Sequence, residues 1–384
     1  MKILFNYYAG GGGGLANIRR LLRAYALAFP ADQLIVASKN PAQFSDLDGL
    51  PNVDLYEIAL PIGGEVGRLW YGFFGLRKLA SSLGVDVVWS MNLGSYIRGR
   101  TPQVTSINNA YQVYPLSVMR MHPAGWLRAA VMRFFSTLTM FASDSIVVQT
   151  RIMRDQAIRL AGRGKRVHVV AKAVEVSDFC GGVDAMQGED DSPPAGFVFG
   201  YVATYFPHKN HERLIEALEL LSRRRDFGPV VKLLATIDLA DLPPRLRGVA
   251  ARLIDSGLLS LVGWQSVSQL GEFYRRLDAV VIPSLLESLS SAHIEAMAFG
   301  KPILASDLPY ARELCGDAAL YVDPTNPNQL SEGMLAIASD ALRRRSLVHA
   351  GSERMKMFPS DWRSIAGEVR SVLSDSIDGR PRAM

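Results

Sequence analysis

The sequence predicts two α/β domains, each a parallel sheet with helices on both faces. Three observations lead there: a length of 384 residues, an alternation of short apolar β-branched runs with longer helix-periodic segments, and one interruption of that alternation near mid-chain. A chain this long exceeds one core of ordinary size, and two domains of roughly 150–200 residues are expected. Runs that are apolar throughout, rather than at alternate positions, mark strands covered on both sides, the condition of a parallel sheet.

In the first half, strands are expected at residues 2–7, 33–37, 85–90 and 104–107, and helices at 17–29, 69–83 and 126–141. Residues 177–196 break the series with Gly181, Gly182, Glu189-Asp190-Asp191 and Pro193-Pro194, and read as a linker. A second alternating series runs from Phe197 to Ile337, followed by a helix over 341–357 that Pro359 interrupts. An amphipathic helix over 361–373 follows, and residues 378–384 look frayed. The first domain is therefore placed at 1–176 and the second at 197–359.

Apolar residues make up 48% of the chain, as folded domains require. Two cysteines, Cys180 and Cys315, are too few and too far apart for a disulfide framework or a zinc ribbon, which fits a reducing compartment. Residues 1–6 begin directly as a strand, without a secretory leader, so a cytoplasmic location is expected. The most membrane-like window, 126–142, is interrupted by Arg128 and Arg133 and is too short to span. Charge is uneven: residues 1–175 carry 20 Lys and Arg against 10 Asp and Glu, and residues 176–384 carry 22 against 27. A basic first half suggests an anionic substrate or the inner face of a plasma membrane. Nucleic acid is disfavoured, since no zinc-finger spacing, RNA-binding aromatic motif or compact arginine-rich arm is present.

The most informative stretch is Pro283-Ser-Leu-Leu-Glu-Ser-Leu-Ser-Ser-Ala-His-Ile-Glu-Ala-Met-Ala-Phe-Gly-Lys-Pro302. It follows the apolar run 279–282, so Glu287 falls in the loop leaving a buried strand. Ser290 or Ser291 can cap the short helix that follows, and Gly300 and Pro302 end it. First-turn amides of Leu289, Ser290 and Ser291 would face the carboxyl end of the sheet, where open α/β sheets bind ligands, and would suit a phosphate. Glu295 lies one turn inside this helix, which Ala292, Ala296 and Phe299 mark as buried, so its carboxylate needs a partner. Lys209 follows the strand at 198–203 and precedes the helix at 211–222, which sets a cation at the same edge; a solvated loop lysine is the plainer alternative. Asn210 reads as a helix cap, and His208 and His211 as loop and helix-face residues that would assist a phosphate only if protonated.

Together with its neighbours this stretch resembles the donor-binding segment of the retaining, metal-independent glycosyltransferases of family 4, which have the GT-B fold and a Glu-x7-Glu pair. The likeness extends over Gly200 to His211, Leu261-Val-Gly-Trp264, Leu270 with Tyr274, Glu287 with Glu295, Ile303 to Asp307, Glu313 with Gly316-Asp317, and Tyr321-Val-Asp-Pro324. It is looser in the first half, where it rests on the glycine-rich start, Val147 to Thr150 and Val169 to Phe179. The resemblance implies two Rossmann-like domains whose parallel sheets face a central cleft, with residues 360–384 crossing back onto the first.

It further implies a nucleotide-sugar co-substrate, a UDP- or GDP-sugar, no metal and no separate cofactor. The acceptor would be a saccharide or lipid-linked saccharide, as in the synthesis of bacterial surface polysaccharide or lipopolysaccharide. By resemblance Lys209 binds the donor diphosphate and stabilises charge on the leaving group, Glu287 lies near the transferred sugar, and Glu295 accepts hydrogen bonds from the ribose. The base would lie near Val262, Gly263 and Trp264. Thr204 stands where the family commonly has arginine, so Arg19 or Arg312 must substitute or the diphosphate is held less tightly. Gly12, Gly13 and Gly14 would shape the acceptor side, and Asn108 and Asn109 stand where many members have a histidine. An amide cannot shuttle a proton. In the front-face mechanism ascribed to such enzymes, the departing phosphate oxygen takes it.

Two rivals follow from the same residues. Thr204 and the asparagines allow a non-catalytic binding or scaffold homologue. Residues 11–16 also satisfy G-x-G-x-x-A, but the next strand leads into Ser38-Lys39 instead of the acid that holds a nicotinamide ribose. Asp46-Leu-Asp48, the lone D-x-D, reads as surface. The helix at 126–141, with Arg120, Arg128 and Arg133, could rest on a membrane through Trp126, Phe134 and Phe135, and core packing explains its apolar residues equally well.

Overall fold

The computed structural model describes residues 1–8, 13–60, 63–115, 123–173, 196–224 and 231–379. The expected linker lies outside these, except for Gly196. The chain divides into two compact units, the first taking in residues up to Ala173 together with the C-terminal segment from Asp361.

The first unit runs β1 (Lys2–Tyr7), α1 (Gly13–Ala28), β2 (Gln33–Ser38), β3 (Val53–Glu57), α2 (Gly64–Trp70), α3 (Leu76–Leu83), β4 (Val87–Met91), β5 (Gln103–Ile107), α4 (Pro123–Ala142), β6 (Ser145–Val148), α5 (Arg151–Ala161) and β7 (Arg166–Val169). Its seven strands are all parallel, in the order β3-β2-β1-β4-β5-β6-β7. The helix expected at 69–83 is α2 and α3 joined through a π turn, Tyr71–Gly75. β3 was not foreseen, because it is an edge strand with mixed polar composition and little burial.

The second unit runs β8 (Phe197–Tyr201), α6 (His211–Ser222), β9 (Val231–Ala235), α7 (Pro244–Asp255), β10 (Leu259–Leu261), α8 (Val267–Arg275), β11 (Ala279–Ile282), α9 (Ser291–Ala298), β12 (Ile303–Ser306), α10 (Pro309–Cys315), β13 (Ala319–Val322), α11 (Pro327–Ser339) and α12 (Ala341–Met355). Its six parallel strands are ordered β10-β9-β8-β11-β12-β13. The chain winds from β8 outward to β10, then returns to β11 beside β8 and winds the other way. Each sheet therefore has a point where the strand order reverses, between β1 and β4 in the first and between β8 and β11 in the second. Open α/β sheets bind ligands just outside the carboxyl ends of the strands at such points.

Helix α13 (Trp362–Asp378) packs on α1 within the first unit. Asp361 caps it by accepting from Ser364 N at 2.8 Å. Trp362, Ile365, Val369, Val372 and Leu373 join Ile18, Leu22 and Tyr25 in one core. Each such buried side chain contributes about 1.5–3 kcal/mol. Arg370 adds an ion pair to Asp32 at 2.8 Å, which also takes the N-terminal ammonium at 2.7 Å.

Candidate functional site

The site in the second unit is built on the adjacent strands β8 and β11. Gly200 is forced by packing: a Cβ there would fall 2.1 Å from Leu277 Cδ1. Past β8 the chain makes a short 3-10 turn, Pro207–Lys209, before α6; past β11 it forms the loop that carries Glu287. The two segments are tied together by buried polar groups. Leu285 N donates to His208 O at 2.7 Å, and the Tyr201 hydroxyl donates to Lys209 O at 2.5 Å and lies 3.3 Å from Ser284 Oγ. Ser306 and Tyr310 both donate to Ser284 O, at 2.8 and 2.6 Å.

Asn210 is the hinge of this arrangement and corrects the expectation of a helix cap. It makes no side-chain cap to α6, lies in the left-handed region at φ 62, and donates through Nδ2 to Pro283 O at 3.0 Å and Pro324 O at 2.7 Å. Asparagine tolerates that backbone better than other side chains. Its carboxamide joins the loop after β8 to those after β11 and β13.

Held in this way, Lys209 Nζ donates to Glu287 Oε1 at 2.6 Å. Both side chains are largely covered, 20% and 10% exposed. Burial alone raises the Glu287 carboxyl, but the charge and hydrogen bond of Lys209 outweigh it and leave the carboxyl below its ordinary value. Nearby imidazoles are neutral. Burial, reinforced by the Lys209 ammonium, lowers His208 to about 4 and His211 to about 3, so neither supplies a phosphate-binding cation near pH 7. His293, fully buried on α9, is likewise lowered to about 4, chiefly by burial, and neither ring nitrogen has a hydrogen-bond partner among the described residues.

Glu295 finds its partner in Tyr274 of α8, whose buried hydroxyl donates to Oε2 at 2.8 Å and whose ring stacks on Phe299 at 4.8 Å. Ser290 occupies the N-cap position of α9 without a side-chain cap, leaving the first-turn amides to other partners. Leu289 and Ser290 are buried and Ser291 is exposed. Gly263 follows β10 in the left-handed conformation, φ 69, where a Cβ would come within 3.1 Å of Asp238 Oδ1, and Trp264 beside it is 73% exposed. Thr204 is exposed on the loop after β8. The two arginines considered as substitutes are paired with acids: Arg19 with Asp46 at 2.7 Å, and Arg312 with Asp307 at 2.6 Å while lying over Tyr321.

In the first unit Gly12 lies outside the described residues, and Gly13 and Gly14 open α1. Asn108 N donates to Asn92 Oδ1 at 2.9 Å, and Asn109 accepts from Tyr111 N at 3.0 Å as the cap of a 3-10 turn. Asn92, at φ 63 just past β4, also accepts from Gln112 at 3.1 Å through its carbonyl. Beyond β2, Lys39 lies over the Tyr8 ring where a dinucleotide site would present an acid. Asp46 of the D-x-D is engaged by Arg19, and no group of three or more His, Cys, Asp or Glu residues suited to a metal occurs among the described residues. Cys315 is buried and free, its thiol pushed up to about 12 by burial, so it is unreactive.

Sequence reasoning missed Tyr201, Ser284, Asn92 and His293, and misassigned Asn210. Only Asn210 carried a local signal: asparagine between a lysine turn and a helix suits the left-handed region as well as a cap.

Residues 186–354 match the family model described as glycosyl transferases group 1. Over these residues the chain is similar to that family. The chain is 26% identical over 199 residues to a D-inositol 3-phosphate glycosyltransferase of Jonesia denitrificans, covering 50% of this chain and 47% of that one. It is 21% identical over 246 residues to the O-antigen chain mannosyltransferase RfbU of Salmonella typhimurium, covering 63% and 65%. The chain thus spans about half to two thirds of the length of these curated relatives. Among solved structures, Anabaena HepE in complex with UDP and glucose superposes with a TM-score of 0.69 at 18% identity, covering 98% of this chain and all of that one. The two parallel-sheet units thus make up a GT-B fold.

Proposed function

We propose that this chain transfers a hexose, with retention of configuration, from a nucleoside diphosphate donor to a saccharide or lipid-linked saccharide in bacterial surface polysaccharide synthesis. The observation that carries the reading is the Lys209–Glu287 pair at the strand-order reversal between β8 and β11. A preorganised ammonium there can take the diphosphate and stabilise charge on the departing nucleoside diphosphate, work that needs no divalent ion. In this reading Glu287, held ionised, accepts from sugar hydroxyls and Glu295 from ribose hydroxyls, with Tyr274 fixing the orientation of Glu295. Exposed Trp264 offers a face for the base, and UDP or GDP is the expected nucleotide. The acceptor hydroxyl proton would pass to the phosphate oxygen released from the anomeric carbon as the new glycosidic bond forms on the same face. The names of the relatives and the UDP and glucose of HepE support this reading.

Thr204 favours a second reading, a binding or scaffold subunit, because no charge replaces the family's arginine there and Arg312 is committed to Asp307. A thermal-shift screen of UDP-, GDP-, ADP- and dTDP-sugars, followed by assays of transfer and of slow donor hydrolysis, separates the two. Stabilisation by one nucleotide sugar, with turnover that Lys209→Ala abolishes, is expected. Nucleotide binding with neither transfer nor hydrolysis would favour the scaffold, and no binding to any donor would overturn both.

A further inference from the structure

Helix α4 is amphipathic in the wrong sense for a helix that only covers a core. Its buried positions include Ser136 and Thr139, both fully covered, whereas Leu127, Val131, Phe134 and Phe141 are 49–62% exposed. Those four positions, with partly buried Leu138, fall on one stripe at helical spacing. The stripe continues onto neighbouring elements. Phe134 meets Phe135, Phe135 meets Tyr96 and Tyr96 meets Phe73 at ring separations of 5.0–5.3 Å, and Phe73 lies beside Phe74. Phe74 is 59% exposed and Ile97 39%. These two also border a cavity of about 520 Å³ whose lining includes Arg77, Lys78, Arg100 and Gln103.

We infer that this face docks on an anionic phospholipid bilayer, with Phe74, Ile97 and the α4 stripe in the interface and a headgroup phosphate in the cationic cavity. Charge selects the occupant. Residues 70–144 carry seven arginines and lysines against two acids, Asp86 and Asp144, the second paired with Arg98 at 2.9 Å. Lys165 adds a cation beside Phe141, capping the end of α4 through Phe141 O and Ser143 O at 2.5 and 2.7 Å. A second copy packed symmetrically would set these cations against one another, which disfavours a homodimer through this face. No described helix is long and apolar enough to cross a membrane. An apolar stripe beside a cation-lined cavity suits a helix lying in the headgroup region.

The inference stands apart from the donor site, and its test uses neither sugar nucleotide nor acceptor, so its failure would leave the transfer reading intact. The purified chain is floated with vesicles of phosphatidylcholine alone and of phosphatidylcholine with about 30% phosphatidylglycerol. Binding to the anionic vesicles at least about tenfold above the neutral ones is expected, falling about fivefold per cation removed in Arg77→Ser and Lys78→Ser. Phe74→Ser with Phe134→Ser should weaken it about tenfold or more, with unchanged circular dichroism since both rings face outward. Equal partitioning into the two vesicles, wild-type binding by both sets of variants, or a dimer in solution that Phe134→Ser dissociates would overturn the inference.

Discussion

Replacing Lys209 with methionine removes the ammonium 2.6 Å from Glu287 and leaves a carboxylate of 8% exposure without its counter-charge. Breaking a buried ion pair from one side costs about 3–5 kcal/mol. Water reaches part of this pair, since the Lys209 side chain is 20% exposed, and the expected loss is about 2–3 kcal/mol at neutral pH. Lys209→Met with Glu287→Gln removes both charges and should return stability to within about 1 kcal/mol of wild type, while transfer stays abolished. The pH dependence has opposite signs in the two proteins. In the wild type the Glu287 carboxyl is lowered, so the stability it contributes is complete above an ordinary carboxyl value of about 4.3 and is lost as pH falls through the lower folded value. In Lys209→Met burial acts without the ammonium and raises the carboxyl, so the deficit shrinks as acid neutralises it. The stability gap is therefore widest near pH 7 and narrows toward acid. Amide hydrogen exchange at β8 and β11, corrected for intrinsic rates, reads opening of the second unit directly. Wild-type protection of Lys209→Met at neutral pH, or a gap that widens in acid, would refute the coupling.

Asn210→Ala should cost about 2–4 kcal/mol, combining left-handed strain with the loss of hydrogen bonds to Pro283 O and Pro324 O, whereas Asn210→Gly should recover only the backbone part of about 1 kcal/mol; urea unfolding distinguishes them. Tyr274→Phe removes the donor to Glu295 and should cost about 1.5–3 kcal/mol, with donor KM raised more than kcat is lowered; an unchanged KM would remove Glu295 from the nucleotide site. His211 and His293, lowered to about 3 and about 4, refuse protons that the unfolded chain accepts, so stability is complete above an ordinary imidazole value of about 6.5 and declines below it. The loss by pH 5 should be about 2 kcal/mol for each, and His293→Leu should remove its share; an unaltered pH–stability profile in that variant would show that His293 is not the group responsible.

Much of the element pattern was legible because its causes are local. The apolar run at 279–282 is β11, the helix expected at 211–222 is α6, and Gly300 adopts φ 61 just beyond α9. The unforeseen β3 has one side of its backbone at the sheet edge and too little burial to leave an apolar pattern. At the site, Lys209, Glu287 and Glu295 were visible as residue types in suggestive places. Their partners were not, since Tyr274 reads locally as one more aromatic on an amphipathic helix.

From the sequence alone came the two α/β units, the loops that bear Lys209 and Glu287, the short helix that bears Glu295, and the basic bias of the first half. These depend on hydrophobic period, turn chemistry and composition, which act over a few residues. Only the tertiary structure decided that β8 and β11 are neighbours, that Lys209 meets a carboxylate 78 positions away, that Asn210 binds carbonyls 73 and 114 positions away, and that α4 turns its aromatic side outward. The physical reason is that an apolar tetrapeptide specifies a buried strand but not which strand lies beside it. Strand order comes from how all the helices and sheets bury one another's faces together.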